Sequence, residues 1–258
     1  MRHVIRAVGL FSAAVVMAAC ASQVPPSRLG DYLALDKQSE TESLLAIDQR
    51  PLVAGLVLIS DTAAAKAAPN LPAEGMARLG EDLVQDIGHV LPVVIKEVIP
   101  VEGVNSLEGN RVRFSELAKQ HGLDYLVVVV ASSTEQEYPV TLFLGWTTHS
   151  QPGYRRDNWS LLEFVLLDVK RGQTLLHAEA RGWATLDRPT APGINQWYPV
   201  VYLRPQDPER RFWPPTYEGA PNTLRVVSFN QAAKRLMVKL ENEWRGMLEE
   251  SAAARRNS

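Results

Sequence analysis

Leu123-Asp124-Tyr125-Leu126-Val127-Val128-Val129-Val130-Ala131 carries four consecutive valines inside an unbroken apolar run. Such a run leaves no position for a wet side chain, as expected of a strand covered on both faces, and β-branched residues favour the extended backbone. Just before it, Phe114, Leu117 and Ala118 fall at helical spacing, and Gly122 is placed to stop that short helix with a left-handed cap. Further upstream, residues 52–60, Leu-Val-Ala-Gly-Leu-Val-Leu-Ile-Ser, form another continuous apolar run between Pro51 and Asp61, and residues 93–101 read as a further strand that ends near Pro100. Between these two, Met76, Leu79, Leu83, Val84 and Ile87 share one helical face, with Arg78, Glu81, Asp82 and Gln85 on the others. That spacing predicts a helix between Pro72 and the breaker region 88–92.

Downstream the alternation of helix and strand gives way to strands alone. Residues 140–146 and 159–168 read as strands, and the polar stretch 147–158, with Pro152-Gly153, reads as the tip of their hairpin. Lys170-Arg171-Gly172 is a tighter turn into residues 173–185, where Leu176, Ala178 and Ala180 alternate with His177, Glu179 and Arg181. A period of two means one buried face and one solvated face. Val227, Ala233, Leu236, Met237, Leu240, Trp244 and Leu248 then stripe a helix over residues 226–250, followed by a short tail, 251–258, expected to fray. The expected fold is α/β: a single layered domain over residues 51–250, with a mixed sheet and packed helices in the order β-α-β-α-β-β-β-α.

Composition narrows the function. The 258 residues hold 27 Lys+Arg against 29 Asp+Glu, with a pI near 6.2, which argues against a dedicated nucleic-acid binder. A single cysteine rules out an intramolecular disulfide, a cysteine zinc cluster and a Cys-x-x-Cys redox pair. No Gly-x-Ser-x-Gly elbow, P-loop, dinucleotide fingerprint or His-Glu-x-x-His occurs, so no common enzyme class is indicated. His177, Glu179 and Arg181, near Trp183, are the best catalytic-looking cluster, but alternation alone predicts the same residues on a solvated face. His89 and His121 sit near expected helix ends, where a histidine commonly satisfies carbonyls. His149 falls in the expected hairpin tip. With histidines so dispersed, neither a metal nor a cofactor is expected, and the protein is read as a non-enzyme.

The amino terminus gives an address. Arg2, His3 and Arg6 precede an apolar run over residues 7–19 that is too short to span a bilayer and reads as the core of a signal peptide, residues 1–19. The run ends Met17-Ala18-Ala19-Cys20, which resembles the bacterial lipobox, where the cysteine is acylated and becomes the new first residue. The resemblance implies a membrane anchor at Cys20. Two or three acyl chains hold a protein where one would not. Ala21 and Ser22 stand where the enterobacterial sorting pattern has an inner-membrane retention aspartate, so the expected location is the outer membrane, facing the periplasm. Loss of Arg2 and Arg6 with the signal takes the formal net charge from −2 to −4. Residues 20–50 are read as lipidated cysteine and tether, with a short docked helix at 43–49 as the alternative.

Residues 187–222 hold eight of the 17 prolines and read as an irregular insertion. Within it Trp197, Tyr198, Tyr202, Arg204, Arg210, Arg211, Phe212, Trp213 and Tyr217 combine rigid aromatics with arginine. That composition suits protein interface hot spots and also stacking on sugars, and the same aromatics could instead fold inward as the loop's private core.

Two phrases carry a family resemblance. Glu116-Leu117-Ala118-Lys119-Gln120-His121-Gly122-Leu123-Asp124-Tyr125-Leu126-Val127-Val128 and Leu166-Leu167-Asp168-Val169-Lys170-Arg171-Gly172-Gln173-Thr174-Leu175 resemble the helix-to-strand passage and the hairpin of periplasmic domains in the CsgG, LpoB and TolB amino-terminal-domain-like group. The resemblance covers roughly residues 52–187 and the last helix. It implies an anticodon-binding-like α/β fold, often on a tethered lipoprotein, and recruitment of other envelope proteins; it transfers no catalytic residues. The expectation is thus a lipoprotein that binds a periplasmic protein through the 187–222 insertion. The alternatives are a cell-wall glycan binder or hydrolase using the same aromatics, and a subunit of a CsgG-like secretion pore. Arg155, Arg156 and Asp157 and the lack of a clean apolar-polar alternation of about ten residues speak against the pore.

Overall fold

A computed structural model describes residues 24–33, 51–64, 66–99, 110–143, 150–189, 200–203, 211–212 and 219–257. The elements run α1 (Leu29–Tyr32), β1 (Leu52–Asp61), α2 (Ala73–Val90), β2 (Val93–Ile99), α3 (Asn110–Gln120), β3 (Tyr125–Phe143), β4 (Ser150–Asp168), β5 (Gln173–Pro189), β6 (Val200–Leu203), β7 (Arg211–Phe212) and α4 (Ala220–Asn257). The strands form one sheet in the order β2-β1-β3-β4-β5-β6-β7, parallel at β2-β1-β3 and antiparallel from β3 onward. Its five long strands and the helices packed on them give the expected mixed α/β domain and element order.

The valine run lies at the centre. Val127, Val128, Val129 and Val130 are all fully buried, because helices cover both faces. On one face Val127, Val129, Leu162, Phe164 and Leu166 pack against Leu79, Leu83 and Ile87 of α2 and Leu236 and Leu240 of α4. On the other, Val57, Val128, Val130 and Val165 pack against Phe114 and Ala118 of α3 and against Leu29, Tyr32 and Leu33. Gly122 has φ +63, so the glycine cap ends α3 as its sequence position implies. Gly172 has φ +66 in the β4–β5 turn, where the Asp168 carboxylate accepts the Arg171 N–H at 3.0 Å.

Three sequence expectations need correction. Residues 150–158 of the polar stretch expected as a hairpin tip are strand: β3 runs without a break to Phe143, β4 starts at Ser150, and Gly153 pairs with Val140. Polar side chains on both faces hid this extension, because ion pairs and hydrogen bonds replace apolar contacts there. Glu135 and Glu137 meet Arg156, Glu135 also meets Arg225 at 2.9 Å, and Arg155 grips Asp187 at 2.6 Å. Second, the insertion is not wholly irregular. Tyr202 pairs with Thr185 of β5 and with Arg211 of β7, so two short strands continue the sheet. Third, the last helix, expected over residues 226–250, is longer at both ends: α4 spans Ala220–Asn257.

Candidate functional site

The site begins with a carboxylate in an improbable place. Glu163 sits in Leu161-Leu162-Glu163-Phe164-Val165-Leu166-Leu167 on β4 and is fully buried. Carboxylates are almost never fully buried without partners, since desolvation disfavours the charged form. Its partners come from residues 27–29. The Ser27 hydroxyl donates to Oε1, the Arg28 N–H donates to Oε2 at 2.8 Å, and the Leu29 N–H is shared between both oxygens at 3.2 Å. Glu163 therefore collects the backbone donors that open α1, which have no partner within the helix.

A second buried carboxylate stands nearby on the same sheet face. Asp61, at the end of β1, accepts the Tyr32 hydroxyl at 2.9 Å, the Arg28 Nε at 3.1 Å and the Ala63 N–H at 2.7 Å. Burial alone would raise its pKa, but the hydrogen bonds from Ala63, Tyr32 and Arg28 outweigh it and hold the carboxyl below its ordinary range. Burial and then the bond to Asp61 push the Tyr32 phenol far above its usual value, so it remains a donor. Arg28 also reaches Asp31 at 2.6 Å, and beneath these polar anchors lie Leu29, Tyr32 and Leu33, all buried. Residues 27–33, expected from the sequence to be tether, are thus docked on the sheet. Beside Leu33 opens a small cleft lined chiefly by Leu33, Phe114, Leu167 and Val169, with Asp168 and Thr174 at its polar edge.

The residues singled out from sequence fall elsewhere. Cys20, Trp197, Tyr198, Arg204, Trp213 and Tyr217 lie outside the described residues, as do His149 and residues 43–49. Tyr202, Arg211 and Phe212 belong to β6 and β7, where backbone pairing sets Tyr202 opposite Arg211 and Val201 opposite Phe212. On β5, Leu176, Ala178 and Ala180 are buried and His177 is exposed, as the alternation implies. Glu179 pairs with Arg181 at 3.3 Å, and the Trp183 ring carries the Arg235 guanidinium 4.4 Å from its centroid. His121, expected to satisfy carbonyls with its ring, directs Nδ1 to Glu97 of β2 at 3.1 Å instead. Among the described residues no group of three or more His, Cys, Asp or Glu gathers at metal-binding distance.

No family model matches the chain, and no curated protein matches it. Solved structures do. The protein CT253 from Chlamydia trachomatis aligns with 75% of this chain and 97% of its own at 13% identity, with a TM-score of 0.35. A protein from Caulobacter crescentus assigned as a lipoprotein aligns with 74% of this chain and 90% of its own at 12% identity and a TM-score of 0.32. The lipoprotein GNA1162 from Neisseria meningitidis aligns with 52% and 83% at 11% identity and a TM-score of 0.27. The chain has a distant structural similarity to bacterial lipoproteins.

Proposed function

We propose that this chain is a non-enzymatic lipoprotein of the bacterial envelope, anchored at Cys20 to the outer membrane and binding a periplasmic protein partner. The observation that carries the reading is the Met17-Ala18-Ala19-Cys20 sequence at the end of a signal-like apolar run, seven positions before the first residue that grips the domain. Seven residues reach at most roughly 25 Å, so an acylated Cys20 holds the domain close to the lipid surface rather than on a long leash. Among the described residues no helix is long and apolar enough to cross a membrane. The insertion supplies the contact surface. Its described strands, β6 and β7, pair with the sheet beside β5, and in sequence Trp197 and Tyr198 directly precede them and Trp213 directly follows.

Mass spectrometry of the mature amino terminus tests the anchor: an acylated Cys20 is expected, and an unmodified cysteine or cleavage elsewhere overturns it. Pull-down from cross-linked envelopes tests the binding role. A partner is expected with the wild-type chain and lost with Trp197→Ala plus Trp213→Ala; equal recovery from a folded double variant removes the insertion from the contact.

A further inference from the structure

Residues 27–33 fill a site that the rest of the domain builds by itself. Asp61, Glu163 and the apolar floor of Val57, Ile59, Val128, Val130 and Val165 all lie on β1, β3 and β4, the central strands of the sheet. The Ser132 hydroxyl, buried and without a hydrogen-bond partner in the structure, belongs to the same face beside Asp61 in register. The site reads its occupant closely. Glu163 requires a hydroxyl and two successive backbone donors, Asp61 a guanidinium and a phenol, and the floor three apolar side chains.

This is the recognition pattern of a peptide-binding site, with its ligand written in the same chain. Nothing in those contacts depends on which copy of the chain supplies the segment. Between Leu33 and Pro51 lie 17 residues, residues 34–50, enough to span up to roughly 60 Å, which exceeds the width of a domain of this size. Exchange of an identical element between protomers costs little when the contacts made are the same in both forms.

We infer that the sheet face bearing Asp61 and Glu163 is a peptide-binding site that also takes residues 27–33 of a second copy, so that copies of this protein join by exchanging that segment. The inference does not depend on acylation of Cys20. Two variants of the full chain separate donor from acceptor. Glu163→Lys blocks the site and leaves the segment intact; Arg28→Glu with Leu29→Asp spoils the segment and leaves the site empty. Each is expected to sediment as a monomer alone and as a one-to-one heterodimer when mixed, and the heterodimer is expected to vanish when the donor also carries Leu29→Asp. A mixture of folded variants that stays monomeric overturns the exchange. Should Glu163→Lys not fold, a fluorescent peptide of residues 24–33 is titrated against the acceptor. Saturable binding at least tenfold tighter than to the wild-type chain, whose site is occupied, is expected; a folded acceptor that ignores the peptide overturns the site. Peptide binding without a heterodimer from two folded variants overturns the exchange.

Discussion

The two faces of the sheet are closed in different ways. Beneath α2 and α4 the closure is long and apolar: two helices, the second of 38 residues, lay leucines and Ile87 on Val127, Val129, Leu162 and Phe164. On the opposite face α3 covers one part, and seven residues with a four-residue helix cover the rest. Burying Leu29, Tyr32 and Leu33 yields about 1.5–3 kcal/mol apiece, while ordering each of the seven residues costs about 1–2 kcal/mol. Apolar contact alone does not hold so short a segment. Hydrogen bonds to Asp61 and Glu163 decide whether it docks and fix its position. A long helix can rely on area, whereas a short one needs directed bonds, and directed bonds can be released.

The largest break comes on the helix-covered face. Phe164→Ala removes a fully buried ring, and such truncations cost about 3–5 kcal/mol because the cavity only partly collapses. The whole domain is expected to lose stability, seen as a fall of roughly 10 °C in the calorimetric midpoint at 2–4 °C per kcal/mol for a chain of this size. Gly182→Ala attacks the same face from the other side: a Cβ there would stand 2.1 Å from the Ser228 carbonyl oxygen and 2.5 Å from the Ala232 nitrogen. Both atoms are helix backbone, so α4 must move away from β5. An overpacking cost of about 1–3 kcal/mol is expected in the same melt.

On the segment-covered face the same measurements should diverge from local ones. Glu163→Gln keeps the shape but replaces an acceptor-only group with one oxygen and one amide, leaving donors on residues 27–29 in competition for it. A loss of about 1–3 kcal/mol is expected. Its signature is faster hydrogen exchange at the Arg28 and Leu29 amides, with the exchange of β3 amides changed far less. Acid should act in the same place. The folded Asp61 carboxyl lies below its unfolded value, so its contribution is fully present above about pH 4, the ordinary carboxylate value, and is lost as pH falls through the lower folded value. Docking is therefore expected to hold from neutral pH to about pH 4 and to loosen only below it, read as amide exchange of residues 28–33 against pH after correction for intrinsic rates. Loosening at pH 6 would contradict this assignment.

The contrast also explains what the sequence reveals and conceals. Apolar periodicity exposes the helix-covered face: the spacing of Leu79, Leu83 and Ile87, the four valines, and the stripe of Leu236 and Leu240 all lead to the observed elements. Glu163 within Leu-Leu-Glu-Phe-Val-Leu-Leu was a readable signal, a lone charge inside a buried strand. Its partners were not readable, because Arg28 lies 135 positions away and α1 is too short for any periodicity to register. The outer half of the β3–β4 hairpin was hidden for a related reason. Where Arg225, Glu135, Arg156 and Glu137 link strand to strand and helix, the residues are charged on a surface that pairs as firmly as an apolar one, and hydropathy carries no record of it.

The smallest effect isolates burial as the cause. Arg28 and Asp61 approach to 3.1 Å, and Arg78 and Glu74 on α2 approach to 3.2 Å, so the two ion pairs are alike in distance. They differ in surroundings: the Asp61 side chain is 1% exposed and that of Glu74 is 87% exposed. Water and salt screen the second pair, and an exposed i,i+4 pair contributes about 0.3–0.5 kcal/mol. Glu74→Gln is accordingly expected to shift the urea midpoint barely beyond error, and not at all in 0.5 M salt. Arg28→Gln, at the same separation, is expected to undock residues 27–33 at any salt concentration, because it leaves Asp61 without its cation on a face from which water is excluded. Equal responses of the two variants would mean that distance rather than desolvation sets the strength of these contacts, and the carboxylates would then be incidental to how the segment is held.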